Sequence, residues 1–553
     1  MARRRRRKGL SYLPSKPRRT WAIIYIALAA IFWGGIFYTK QGMVKPLEGQ
    51  LLDAYTGHFV TDSVKIILNN DPKLAHAAGI AVSQETSTDE FGQFEFKNVT
   101  DHYQLTASTA RYRPDDETFS GTFSPTLKLT PSFLQGAVRN AAGQPVAKAN
   151  VTLNGNTIQS GPGGEFVYGD VPTSGDVVVK VLGYERTVAH FDHTVKLEVT
   201  INPLRVKGVY LPAKTANDNY GLQSILNLLD TTEVNAVVLD IKDENGQTAY
   251  DSQVPFATSA PIAKRYANIT ALISQLHQHH AHIIGRLVLF QDPVLTDKKP
   301  EWTLKSKATS HSWADAAGYN WINPYNQESW KFFIGLAQEV AGLGVDEIQF
   351  DYDRFPASGK LEEINYGQSS DENSRLAATS GIIRTAQEVL TPLGVFVSVT
   401  AFGSTIVEPQ DDLLVGQKLD NYARQADFVS PAIYPAEWSK GAFNLDIPAQ
   451  HPFEVVGTAL HDSLQYMANK PGLMRPWLEA YSPENLTYGA AEIKGEIMAA
   501  GPEVAPGGWL LWNPSGQYEV AIFAPKPVAT TNKTSVPQPT AQPSQNSFNA
   551  GGK

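Results

Sequence analysis

The chemistry-bearing residues of this chain collect at the ends of short apolar runs between positions 204 and 524. Residues 345–356, V-D-E-I-Q-F-D-Y-D-R-F-P, alternate Ile348, Phe350 and Tyr352 with Glu347, Gln349, Asp351 and Asp353, and then present Arg354. This period-2 pattern predicts a strand with one apolar and one polar face, ending in two carboxylates and an arginine. Comparable endings carry Asp240, Lys242 and Asp243; Arg286 and Asp292; Tyr434, Glu437 and Trp438; Trp477, Glu479 and Tyr481; and Trp512 with Asn513. Carboxylates that converge can protonate a leaving group and attack or activate water, and a nearby cation decides which of them stays ionised.

Such convergence needs elements that bring distant chain segments to one rim. The apolar runs are V-K-G-V-Y-L-P, A-V-V-L-D-I-K-D, H-I-I-G-R-L-V-L-F-Q-D-P and D-E-I-Q-F-D-Y-D-R-F-P, then V-F-V-S-V-T-A-F-G, A-D-F-V-S-P-A-I-Y-P, R-P-W-L-E-A-Y and G-W-L-L-W-N-P. Helical segments separate most of them, among them 221–229, 268–279, 326–344 and 375–390, the third ending in a glycine stop. Eight strand–helix units over residues 204–524 predict an α/β fold of the (β/α)8 TIM-barrel type, with its chemistry at the C-terminal rim. A doubly wound open sheet would want a Gly-rich phosphate turn after its first strand, and none is present.

The rest of the chain predicts location rather than chemistry. Nine basic and no acidic residues occupy positions 1–20, a basic tail read as cytoplasmic. An uncharged apolar run follows at 21–38, bounded by Trp21 and Tyr38. Its length suits a transmembrane signal anchor and the positive-inside rule puts the bulk outside, a single-pass cell-membrane arrangement. Beyond residue 20, 38 of the 47 Lys+Arg remain against 55 Asp+Glu, a net charge of −17. An acidic ectodomain disfavours nucleic acid and other polyanions as partners. There is no cysteine, which excludes disulfides, thiol catalysis and cysteine-ligated zinc.

Residues 46–203 contain an internal repeat. L-E-G-Q-L-L-D and, later, F-G-Q-F-E-F in 46–130 correspond to L-Q-G-A-V-R-N and G-G-E-F-V-Y in 131–203. Each copy predicts a small all-β sandwich without a cluster of catalytic side chains, most simply a spacer. The segments resemble carboxypeptidase regulatory-like β-modules. Residues 525–553 are rich in Pro, Ser, Thr and Gln and predict a disordered tail.

Eight of the ten tryptophans fall in the barrel segment. Tryptophan faces suit the apolar face of a sugar ring, although core packing is expected to claim about half of them. The run Q-L-H-Q-H-H-A-H at 275–282 suggests a metal, but it lies where a helix enters the third strand, away from the rim. A solvated helix end explains it better, so no metal and no cofactor is expected.

The ordered barrel motifs resemble the putative glycoside hydrolase domain of bacterial exported proteins over residues 205–518. The resemblance implies a barrel related to glycoside hydrolases, with Asp240, Lys242, Asp243, Arg286, Asp292, Asp351, Arg354, Tyr434, Trp477, Trp512 and Asn513 at family site positions. Asp353, Glu437 and Glu479 depart from the family pattern and inherit no role. The expected reaction is two-carboxylate hydrolysis of a polysaccharide or cell-envelope glycan. Asp351 is the expected nucleophile or base, kept ionised by Arg354; Asp240, Glu479 and Glu437 compete for the acid. A catalytically silent barrel that binds cell-wall glycan is the alternative. Schiff-base chemistry at Lys242 is a weaker one, because flanking carboxylates would raise its pKa.

Overall fold

The computed structural model describes residues 18–41, 43–482 and 486–526. Residues 204–526 belong to one compact unit and residues 18–181 and 186–203 to another. In the first, all eight predicted strands form: β1 (Val206–Leu211), β2 (Ala236–Lys242), β3 (His282–Val288), β4 (Glu347–Asp351), β5 (Phe396–Ala401), β6 (Phe428–Ile433), β7 (Leu473–Met474 and Trp477–Glu479) and β8 (Gly508–Trp512). Each pairs in parallel with the next, and β8 returns to β1, closing the barrel. Pro476 interrupts β7 because proline has no N–H to give the ladder.

The helix expected before β4 spans Gln327–Leu343, with Asn326 accepting from the Ser329 N–H and Gly344 in the left-handed conformation at φ 107°. Its Phe333, Leu336 and Val340 join Ile348 and Phe350 in the large cluster between helices and barrel. The polar face of β4 therefore points inward, and the interior is divided. Val206, Tyr210, Ala236, Val238, Ile284, Trp477 and Leu510 form an apolar cluster. Glu347 and Gln349 meet Arg475, His282, Ser398 and Ser430 in a buried polar one.

The two β-copies share one topology. Residues 45–129 make a three-stranded and a four-stranded sheet, and residues 133–201 repeat both with the same strand order. The repeated glycine has a packing cause. Gly49 pairs with Phe94 and Gly136 with Phe166, each glycine lying under the phenyl ring. A Cβ on Gly136 would sit 2.0 Å from the Leu197 carbonyl oxygen and 2.5 Å from Phe166 Cζ. Gly136→Ala is therefore expected to destabilise the second copy by about 1–3 kcal/mol, read as a lower melting temperature of the protein's near-UV signal.

The apolar run at 21–38 lies in a helix, Arg18–Gln41, whose side chains are described only from Ile23 to Gly34. Among the described residues no helix is long and apolar enough to cross a membrane. The predicted tails at 1–20 and 525–553 lie almost wholly outside the described residues.

Candidate active site

Strand parity and one irregularity build the rim. Asp240 lies near the end of β2 and Asp351 ends β4, both on inward faces, and Arg286 of β3 lies between them. Arg286 Nη1 donates to Asp240 Oδ1 at 2.9 Å, and its Nε donates to Asp351 Oδ2 at 2.7 Å. Nη2 is also 2.7 Å from Asp351 Oδ2. Burial works against the arginine's charge, but Asp351 and Asp240 outweigh it and raise its pKa well above the ordinary value. The second Asp240 oxygen accepts from the Tyr210 hydroxyl at 2.5 Å. Asp240 is thus engaged at both oxygens, whereas Asp351 Oδ1 accepts one backbone N–H, from Tyr352 at 2.8 Å, and keeps acceptor capacity. Tyr352 adopts φ 50°, uncommon for a bulky residue, where the chain leaves β4 at the site.

A cavity of 260 Å³ opens here, lined among others by Asp351, Arg354, Tyr434, Glu437, Trp477 and Trp512. Trp477 is almost fully buried and donates to Gln349 Oε1 at 3.0 Å, while Trp512 is half-buried and packs edge-on to it. Glu437 sits on the exposed lip, its carboxyl pushed up by the desolvation of its surroundings. Burial, with smaller contributions from Asp351 and Glu437, holds the Tyr434 hydroxyl neutral well above the ordinary range.

Several expected contacts are elsewhere. A β-bulge between Asp240 and Lys242 shifts the register, so Lys242 aligns with outward-facing Leu287 instead of with Val288, the next residue on the face of Arg286. Lys242 is fully buried over the Phe333 ring, paired with Asp292 at 3.0 Å and donating to the Val288 carbonyl at 2.8 Å. Asp292 also caps the helix Pro293–Lys298, and burial raises its carboxyl against the pull of Lys242. Neither residue is available to substrate, and a Schiff base at Lys242 is closed off with them. Asp243 closes a turn by accepting from the Asn245 and Gln247 N–H groups. Asn513 donates to the Ala480 and Gln517 carbonyls.

Glu479 has no exposed surface; its Oε2 accepts from the Ala436 N–H at 3.0 Å, within the turn that carries Glu437. Burial, and secondarily the Glu437 charge, lift it to about 7 against the pull of that N–H. Glu479 therefore positions the Glu437 turn instead of facing the cavity. Arg354 does not pair with Asp351 as expected, and Arg286 does so instead. Asp353 is fully buried and accepts from the Tyr422 hydroxyl at 3.1 Å, and desolvation raises its carboxyl well above the ordinary range against the pull of that hydroxyl.

The histidine run divides as well. His277 pairs with Asp346 and His279 with Asp230, but His282 is buried against Glu347 inside the barrel, not at a solvated helix end. Sequence reasoning passed over Thr400, Phe402 and Gln417 in the cavity wall. Tyr210 was legible from its inward parity in V-K-G-V-Y-L; the loop residues carry no local signal.

A family model described as "Putative glycosyl hydrolase domain" matches residues 208–518, more than half of the chain. No curated protein matches. Among solved structures, a hypothetical protein from Ruminiclostridium thermocellum is 36% identical over 34% of this chain and 96% of its own, with a TM-score of 0.30. The PgaB (BpsB) glycoside hydrolase domain from Bordetella bronchiseptica is 11% identical over 58% of this chain and 98% of its own, with a TM-score of 0.44. A chitobiase from Flavobacterium johnsoniae is 13% identical over 58% and 48%, with a TM-score of 0.37.

Proposed function

Because the chain belongs to that glycosyl hydrolase domain family, we propose that it hydrolyses a glycosidic bond in a polysaccharide or cell-envelope glycan, with Asp351 and Glu437 as its two carboxyl groups. The observation that carries this reading is that both line one cavity, one paired with a guanidinium and the other, among the described residues, without a cation beside it. Asp351 is held by the Arg286 guanidinium, while Glu437 is pushed toward its protonated form. Glu437 gives its proton to the leaving oxygen, and Asp351 attacks the anomeric carbon or takes a proton from water. Asp240 and Tyr210 hold Arg286 in place, Glu479 steadies the turn bearing Glu437, and Trp512 offers a face to a sugar ring. The same reading places the barrel on the outer side of a membrane, on the strength of the basic residues before Trp21 and the apolar run to Tyr38.

Glu437→Gln tests the acid. It is expected to slow cleavage of a natural glycan by about 10²–10⁴-fold, and far less for an aryl glycoside whose leaving group needs no proton. In the unsubstituted protein a raised Glu437 pKa means that the proton persists above the ordinary glutamate range. Activity should therefore decline as pH rises through the Glu437 value, and this basic limb should vanish in the variant. Equal losses on both substrates would assign the proton to another group.

A further inference from the structure

Arg354 is the cation that the proposed reaction leaves unused. It lines the cavity, yet among the described residues it forms no ion pair; Nη1 donates to the Phe355 carbonyl at 3.2 Å, and the Tyr352 side chain is its other hydrogen-bonding neighbour. Its guanidinium carbon lies 4.7 Å from the Tyr352 ring centre, 5.1 Å from that of Trp321 and 5.5 Å from that of Phe402. These rings strip water from the arginine, and burial lowers its pKa despite the charges of Tyr352, Asp351 and Asp315.

A half-buried guanidinium that keeps part of its five donors facing a cavity is able to bind an anion there. Trp321 and Phe402 occupy its surroundings without consuming donors, and the planar fork matches a carboxylate through two parallel N–H···O bonds. We infer that Arg354 selects a sugar residue bearing a carboxylate, seated in the cavity that holds Asp351. The inference deepens the hydrolase reading and rests on it for the sugar. The net charge of −17 beyond residue 20 does not oppose this contact. Repulsion from exposed charges is screened beyond about 8 Å at physiological salt, and Arg354 acts at contact range.

The test uses the full-length protein and a panel of uronate-containing polysaccharides, each paired with its carboxyl-reduced counterpart, measured by calorimetric binding and by release of reducing ends. At least one carboxylated member is expected to bind about 10–100-fold more tightly than its reduced partner, as a charge-assisted pair would give. Arg354→Gln should bring that ratio close to one, and Arg354→Lys should restore only part of it, because the charge returns without the fork. A wild-type protein that binds both forms of every pair alike overturns the inference, even if the variants fail to fold. So does an Arg354→Gln protein that keeps the preference. Preferential binding without hydrolysis would sink the hydrolase reading and leave the selectivity standing; equal hydrolysis of both forms would do the reverse.

Discussion

Replacing Asp351 with asparagine is expected to cut glycan hydrolysis by about 10²–10⁴-fold while the barrel stays folded. The amide keeps the shape of the carboxylate and an acceptor for Arg286, whose charge is still met by Asp240 at 2.9 Å. What disappears is the negative charge at the cavity, and with it the nucleophile or base. The effect should fall on kcat, with sugar binding largely kept, because Trp512, Tyr434 and Glu437 still line the cavity. Reducing-end release by the variant at the same rate as the parent would remove Asp351 from the mechanism. Arg286→Met makes a useful comparison: it leaves Asp240 and Asp351 near one another without their shared cation. Reducing-end release should then fall, because neither carboxylate keeps the donor that fixes it in the barrel.

The largest stability effect is expected from Glu347→Gln in the barrel interior. Glu347 and Arg475 are fully buried and doubly bonded, Nη1 to Oε2 at 2.9 Å and Nη2 to Oε1, with Ser398 donating to Oε1 and His282 alongside Oε2 at 3.1 Å. Removing one charge strands the other in the interior, which costs about 3–5 kcal/mol. The combined change Glu347→Leu with Arg475→Met should recover much of that loss, since a packed apolar pair avoids both desolvation costs. Equilibrium urea unfolding of the two variants measures the difference, and an equally unstable double variant would refute the stranded-charge explanation. Burial alone would raise Glu347, but Arg475 and His282 hold it well below the usual glutamate range. A depressed carboxyl stabilises above its unfolded value and loses that contribution as pH falls toward the folded one. The parent should therefore lose stability below about pH 4, the ordinary range, and Glu347→Gln should lose less over that interval.

The sequence by itself determined the elements. Period-2 and period-3.6 patterns are local, so eight strands, the intervening helices and the repeated β-copies could be read from neighbours a few positions apart. The glycine after Leu343 and the asparagine before Gln327 marked helix ends by the same local logic. Asp351 was legible as a rim carboxylate because alternation along β4 alone puts it on the inward face with Glu347 and Gln349.

Only the tertiary structure decided which of the rim residues work together. A single bulge after Asp240 turned Lys242 outward, and no propensity in A-V-V-L-D-I-K-D marks it. Arg286, 65 residues from Asp351, took the partner expected of Arg354, because adjacent strands place it in register while Arg354 lies beyond the strand among three rings. Glu479 and Glu437 are alike in sequence as rim acids, yet burial made one the support of the turn that carries the other. Glu347 and Arg475, 128 positions apart, meet only once the barrel closes. Local patterns choose an element and its faces; exposure, register and partner are properties of the closed barrel.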